Sequence, residues 1–166
     1  MATFIAVPIL GILLIIQTAI MTRFPLLHGI AEPVLLVVVA WALQKRVQTA
    51  WQWGIIGGLF VGIASALPIW ATILIYVMAV AVALALRQRV WQAPILAMFI
   101  ATFIVIVFAN GIAMLSLRLS GISLPIFQSL NLITLPSVIL NVILAIPAFY
   151  LIADLAKWLY PEELEV

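Results

Sequence analysis

Cysteine is absent from this sequence, which excludes disulfides, thiolate-held metals and a cysteine nucleophile together and leaves the redox compartment open. Charge is almost as scarce: 166 residues carry five acidic side chains, seven basic ones and a single histidine. No GxxxxGK[ST] loop and no GxGxxG occur, so work driven by bound ATP would need another subunit. No serine has a histidine and an orienting acid at hand, so no nucleophile-and-base arrangement is indicated. His28 and Glu32, four residues apart, fall short of the three or four ligands a metal site needs. The chain therefore reads as a non-enzyme without cofactor or metal. Its net charge of +2 rests on so few groups that the pI near 9.4 is no argument for nucleic acid.

What is abundant is apolar surface. Hydrophobic residues make up 68% of the chain, charged ones 7%, and the mean hydropathy is +1.40. A soluble domain has roughly 45–50% and 25%. The expected fold class is an all-α integral membrane protein, a compact bundle of about six transmembrane helices forming one polytopic domain over residues 1–166. The first apolar run lacks a basic n-region and is followed by further runs, so it reads as a retained span of a mature chain. Candidate spans are Thr3 to Thr22, Leu26 to Leu43, Trp53 to Ala66, Ile69 to Leu86, Ile95 to Leu117 and about Leu130 to Ala153. The third reaches only about 21 Å of a core about 30 Å thick. Leu67 and Pro68 make it a tight hairpin with the fourth, and five crossings remain possible if that hairpin is re-entrant.

Lys45, Arg46, Arg87, Arg89 and Lys157 fall on one side of this arrangement and only Arg23 and Arg118 on the other, which places both termini in the cytoplasm. Trp41, Trp51, Trp53, Trp91 and Trp158 lie beside the basic loops, as an interfacial belt would, and Trp70 marks the outer surface. The outer loop from Arg118 to Gln128, with Gly121 and Pro125 among apolar residues, suits either lying along the interface or covering an outward-facing cavity. The acidic tail PEELEV reads as frayed.

Few residues in the apolar runs have chemistry. Glu32 precedes Pro33, which suits the start of a helix, and its carboxylate there would meet the positive end of the helix dipole. Alternatively, Glu32 and His28 form a polar spot at membrane depth for a partner, cation or ligand. Asn110 and Asn141 are expected to hydrogen-bond another helix or to line a cavity. Ser65, Thr72, Thr134 and Ser137 are expected to bond back to their own backbone. Asp154 and Lys157, at i,i+3, suit a surface ion pair.

The run WGIIGGLFVGIASA spaces Gly54, Gly58, Gly62 and Ala66 four residues apart on one helix face. Each glycine costs a helix about 1 kcal/mol relative to alanine. Close van der Waals approach of a second helix offsets that loss, either a helix of this chain, with the alanines at 79, 81, 83 and 85 of the fourth span as first suspect, or a helix of a partner protein.

In order, these features resemble MreD, the multi-pass membrane protein of bacterial rod-shape determination. The resemblance covers most of the chain: a second span entered through Glu32 and Pro33, VLLVVVAWAL with a basic loop, WGIIGGLFVGIASALPIW, LIYVMAVAVALALRQRVW, and LPSVILNVILAIP with Pro136, Ser137, Asn141 and Pro147. MreD proteins often open the second span with Pro-Asp and carry an acid in the third, where this chain has Glu32-Pro33 and Gly62, so no activity is carried over through those positions. The resemblance implies a multi-pass scaffold of the bacterial cytoplasmic membrane, without catalysis of its own. Its partner would be the transmembrane helix of MreC. Through that complex it would help organise peptidoglycan synthesis by the elongation machinery: the actin-like MreB, the glycosyltransferase RodA and a class B penicillin-binding protein. The basic loops would favour anionic lipid. MreD is also similar in fold to the substrate-binding subunits of energy-coupling factor transporters. This implies the alternative, a vitamin-binding subunit with Glu32, Asn110 and Asn141 on its cavity wall.

Overall fold

The computed structural model describes residues 2–20, 29–90, 92–121 and 133–161. Among these lie six α-helices and no strand: α1 (Ala2–Ile20), α2 (Pro33–Leu43), α3 (Ala50–Ala64), α4 (Ile69–Arg89), α5 (Pro94–Leu119) and α6 (Leu135–Leu159). Helices α4, α5 and α6, of 21, 26 and 25 residues, are each long and apolar enough to cross a bilayer, which marks the chain as a membrane protein. Helices α1, α2 and α3 are shorter apolar helices.

The short helix α2 is the centre. Its sequence PVLLVVVAWAL is apolar on every face, a pattern that suits a helix surrounded by protein. All ten residues from Val34 to Leu43 are buried, and α2 packs against each of the other five described helices. It begins at Pro33, several residues later than the apolar run from Leu26 suggests, and is only about 16 Å long. Pro33 has no N–H to leave unsatisfied at the first helical position, and it holds Glu32 outside helical geometry (φ −119°, ψ 66°). Residues 29–32 are irregular chain.

Helices α3 and α4 form the expected hairpin. The turn at 65–68 is closed by Ser65 Oγ, which accepts a hydrogen bond from the Leu67 N–H at 3.1 Å. The α3 glycines face α4 so closely that a Cβ on Gly54 would lie 2.7 Å from Val80 Cγ2, one on Gly58 3.1 Å from Ile73 Cα, and one on Gly62 2.6 Å from Thr72 Oγ1. The helix of this chain that receives them is thus α4, and the row has no room for a further helix. Ala66 lies past the end of α3 and is exposed. Helix α5 ends at Gly121, whose φ of +85° is a conformation that glycine adopts without strain, and Gly121 N–H donates to the Arg118 carbonyl.

The two largest buried side chains overturn part of the tryptophan reading. Trp41 and Trp53 do not sit in an interfacial belt. They are wholly buried and stacked with ring centroids 4.2 Å apart, and Trp41 Nε1 donates to Thr49 Oγ1. The reason is the position of α2: Trp41 lies on a helix enclosed by the others, and Trp53 lies on the buried face of α3 and stacks on Trp41. Trp51, Trp70 and Trp158 are exposed, as an interface would have them.

Lys45, Arg46, Arg87 and Lys157 line one cleft of about 220 Å³, so the ends of α2, α4 and α6 lie together. Arg87 closes the α2–α3 connection by donating to the Gln44 and Val47 carbonyls at 2.9 and 3.1 Å. Arg46 donates to the Tyr160 carbonyl, and Lys157 forms the exposed ion pair with Asp154 at 3.0 Å. Arg89 is exposed nearby in sequence, in the last turn of α4.

Gly58→Leu is expected to destabilise the bundle by about 1–3 kcal/mol or to prevent folding, because backbone atoms of α4 cannot yield as a side chain would. Gly111→Leu, where an added Cβ meets nothing within 4 Å, is expected to be neutral or slightly stabilising. Thermal unfolding of both variants in a non-ionic detergent checks this.

Candidate functional site: a cavity at the head of the central helix

The irregular chain ahead of α2 leaves backbone N–H and C=O groups without helical partners in a part-buried setting, and such groups must be satisfied by something else. Helix α6 supplies most of what is needed. Asn141 Oδ1 accepts from the Glu32 N–H at 2.8 Å while Asn141 Nδ2 donates to the Ile30 carbonyl at 2.8 Å, so one amide bonds two groups of the chain as a neighbouring strand would. The same Nδ2 donates to the Ser137 carbonyl, and Ser137 Oγ accepts from the Ile30 N–H at 2.9 Å. From α1, Gln17 Oε1 receives the Val34 N–H at 3.4 Å. Gly29 makes the approach possible, since a Cβ there would lie 2.8 Å from the Pro136 carbonyl carbon.

This clasp revises two expectations. Asn141 bonds the irregular chain before α2 as well as its own helix, and Ser137 reaches across to that chain instead of bonding back. Asn110 follows the second of its two alternatives: its Nδ2 returns to the Ile106 carbonyl on its own helix at 2.9 Å, and the residue lines a cavity. Thr72 does bond back, to the Ile69 carbonyl.

Beside the clasp is a cavity of about 480 Å³. Its walls come from the second half of α1, residues 29–32, the end of α3, the first half of α4 and the second half of α5. It therefore opens at the opposite end of the bundle from the basic cleft. Glu32 and Asn110 line it; Asn141, occupied in the clasp, does not. The Glu32 side chain does not cap α2. Among the described residues it has no hydrogen-bond or ionic partner. His28 lies outside the described residues, as do the outer loop beyond Gly121 and the tail from Glu162 onward.

Two lining residues had no signal strong enough to single them out. Gln17 is the lone amide of an otherwise apolar first run. Tyr76, in LIYVMAV, reads as one more large apolar residue, yet its hydroxyl is buried without a hydrogen-bond partner and its ring lies against Gly57 of α3. Thr102 Oγ1 and Ser116 Oγ are also buried without partners, but neither residue lines the cavity.

Compared with protein-family models, curated proteins and solved structures, the chain matches none.

Asn141→Ala removes partners from the Ile30 carbonyl and the Glu32 N–H together. It is expected to cost about 1–3 kcal/mol of stability. Asn110→Ala, which breaks only a bond within one helix turn, is expected to change stability by less than about 0.5 kcal/mol. Unfolding midpoints of the two purified variants, side by side in one detergent, distinguish the roles.

Proposed function

We propose that this chain is a non-catalytic scaffold of the MreD kind, crossing the bacterial cytoplasmic membrane six times with both termini inside, and that it binds the transmembrane helix of MreC. Through MreC it acts on rod shape by holding together MreB, RodA and a class B penicillin-binding protein during peptidoglycan synthesis. The observation that supports this reading is where the residues of the resemblance lie. Pro33 starts the central helix, Gly54, Gly58 and Gly62 seat α4, and Ser137 and Asn141 fasten the head of α2 to α6. The likeness is thus a likeness of architecture, carried by the residues that build the bundle. Because α4 covers the glycine row, a partner helix has to use an outer face. Helix α1, packed on α2 and α3, turns Phe4, Val7, Ile12 and Ile15 outward and offers such a face.

The cavity favours a second reading, the ligand-binding subunit of an energy-coupling factor transporter, and the two readings differ in the company the protein keeps. Affinity purification of the tagged chain from its own membranes in mild detergent, with mass spectrometry of the co-purifying proteins, is expected to yield MreC in near-equal amount. Recovery of ATPase subunits in place of MreC overturns the scaffold reading.

A further inference from the structure

We infer that the cavity at the head of α2 binds a small organic cation with an apolar body, whose positive group rests against Glu32. At about 480 Å³ the cavity is of the size that holds small-molecule ligands, typically about 300–1,000 Å³. Its walls are mostly apolar, with Leu14, Val61 and Ile75 among them, which suits a hydrocarbon or aromatic body and not a bare hydrated ion. Among the described lining residues one group, the Glu32 carboxylate, carries charge, and it has no partner among the described residues. Asn110, with one N–H on Ile106, keeps its Oδ1 as an acceptor and its other N–H as a donor. The Tyr76 hydroxyl, in a side chain 2% exposed, is unsatisfied.

Among the described residues no lysine or arginine lines the cavity to balance the carboxylate. A half-buried carboxylate without a counter-charge among mostly apolar walls is costly, and an ammonium group relieves that cost. A metal ion fits the site poorly, since no cluster of three or more acidic, histidine or cysteine side chains exists among the described residues. An anion fits worse, because it would face the carboxylate directly.

The inference rests on the cavity and holds for a scaffold or a transporter subunit. Its readout is ligand charge, while the proposed function is read from partner proteins, so either is able to fail alone.

The test uses the intact purified protein in a non-ionic detergent, with tryptamine and hexylamine as probes and indole-3-acetate and hexanoate as their counterparts of opposite charge. Thermal unfolding and titration calorimetry are expected to show saturable stabilisation by the amines and none by the carboxylates. Glu32→Gln, of nearly the same shape, is expected to weaken amine binding by about tenfold or more, and Tyr76→Phe by a smaller factor. Equal responses to amines and carboxylates, no response to either amine, or unchanged amine affinity in Glu32→Gln overturns the proposal. Should Glu32→Gln not fold, the wild-type comparison of opposite charges decides the matter.

Discussion

Every part of this bundle answers to one constraint: a backbone group shut away from water has to find its partner inside the protein. Within the helices the requirement is met by the helical bonds themselves. It becomes acute at residues 29–32, where the chain is irregular while packed beside α6. Asn141 and Ser137 meet it there by presenting to the chain the donor and acceptors that another strand would have supplied. An amide serves well because it donates and accepts from the same plane, and a buried amide with both functions engaged carries little desolvation penalty.

The cavity follows from the same local choice. A helix occupies a cylinder about 10 Å across, whereas irregular chain is thinner, so the five helices around α2 lose their central filler where α2 has not yet begun. Had residues 29–32 been helical, their side chains would have projected into the volume that α1, α3, α4 and α5 border. Pro33 thus has two effects: it sets where the central helix starts, and it leaves open the space that Glu32 and Tyr76 line. Toward the other end of α2 its own side chains occupy the middle of the bundle, with Trp41 stacked on Trp53.

How much of this was readable in advance depended on whether the signal was local. The long apolar runs of α4 and α5 announce helices because length and hydropathy need no knowledge of neighbours. The α3–α4 hairpin was legible because Pro68 cannot continue the helix before it. Asn141 was recognisable as a residue needing a partner, but its partners lie more than a hundred residues away, and nothing near it names them. Hydropathy cannot tell a helix facing lipid from one facing protein, which is why Trp41 and Trp53 look interfacial in sequence and are central in the fold. Tyr76 escaped for a related reason: a hydroxyl on a large apolar ring acquires meaning only when its surroundings are known to offer it nothing.

The span of the clasp, joining Ile30 and Glu32 to residues 107 and 109 positions later, bears on how such a protein is made. A ribosome delivers α2 into the membrane long before α6 exists. Through that interval the chain ahead of the central helix lacks its eventual partners, and the helix destined for the middle has nothing on the side that α6 will cover. The early helices can associate, with α3 seated against α4, but the core closes only once α6 has joined them. Such a topology makes a helix synthesised late the keystone of one made long before it.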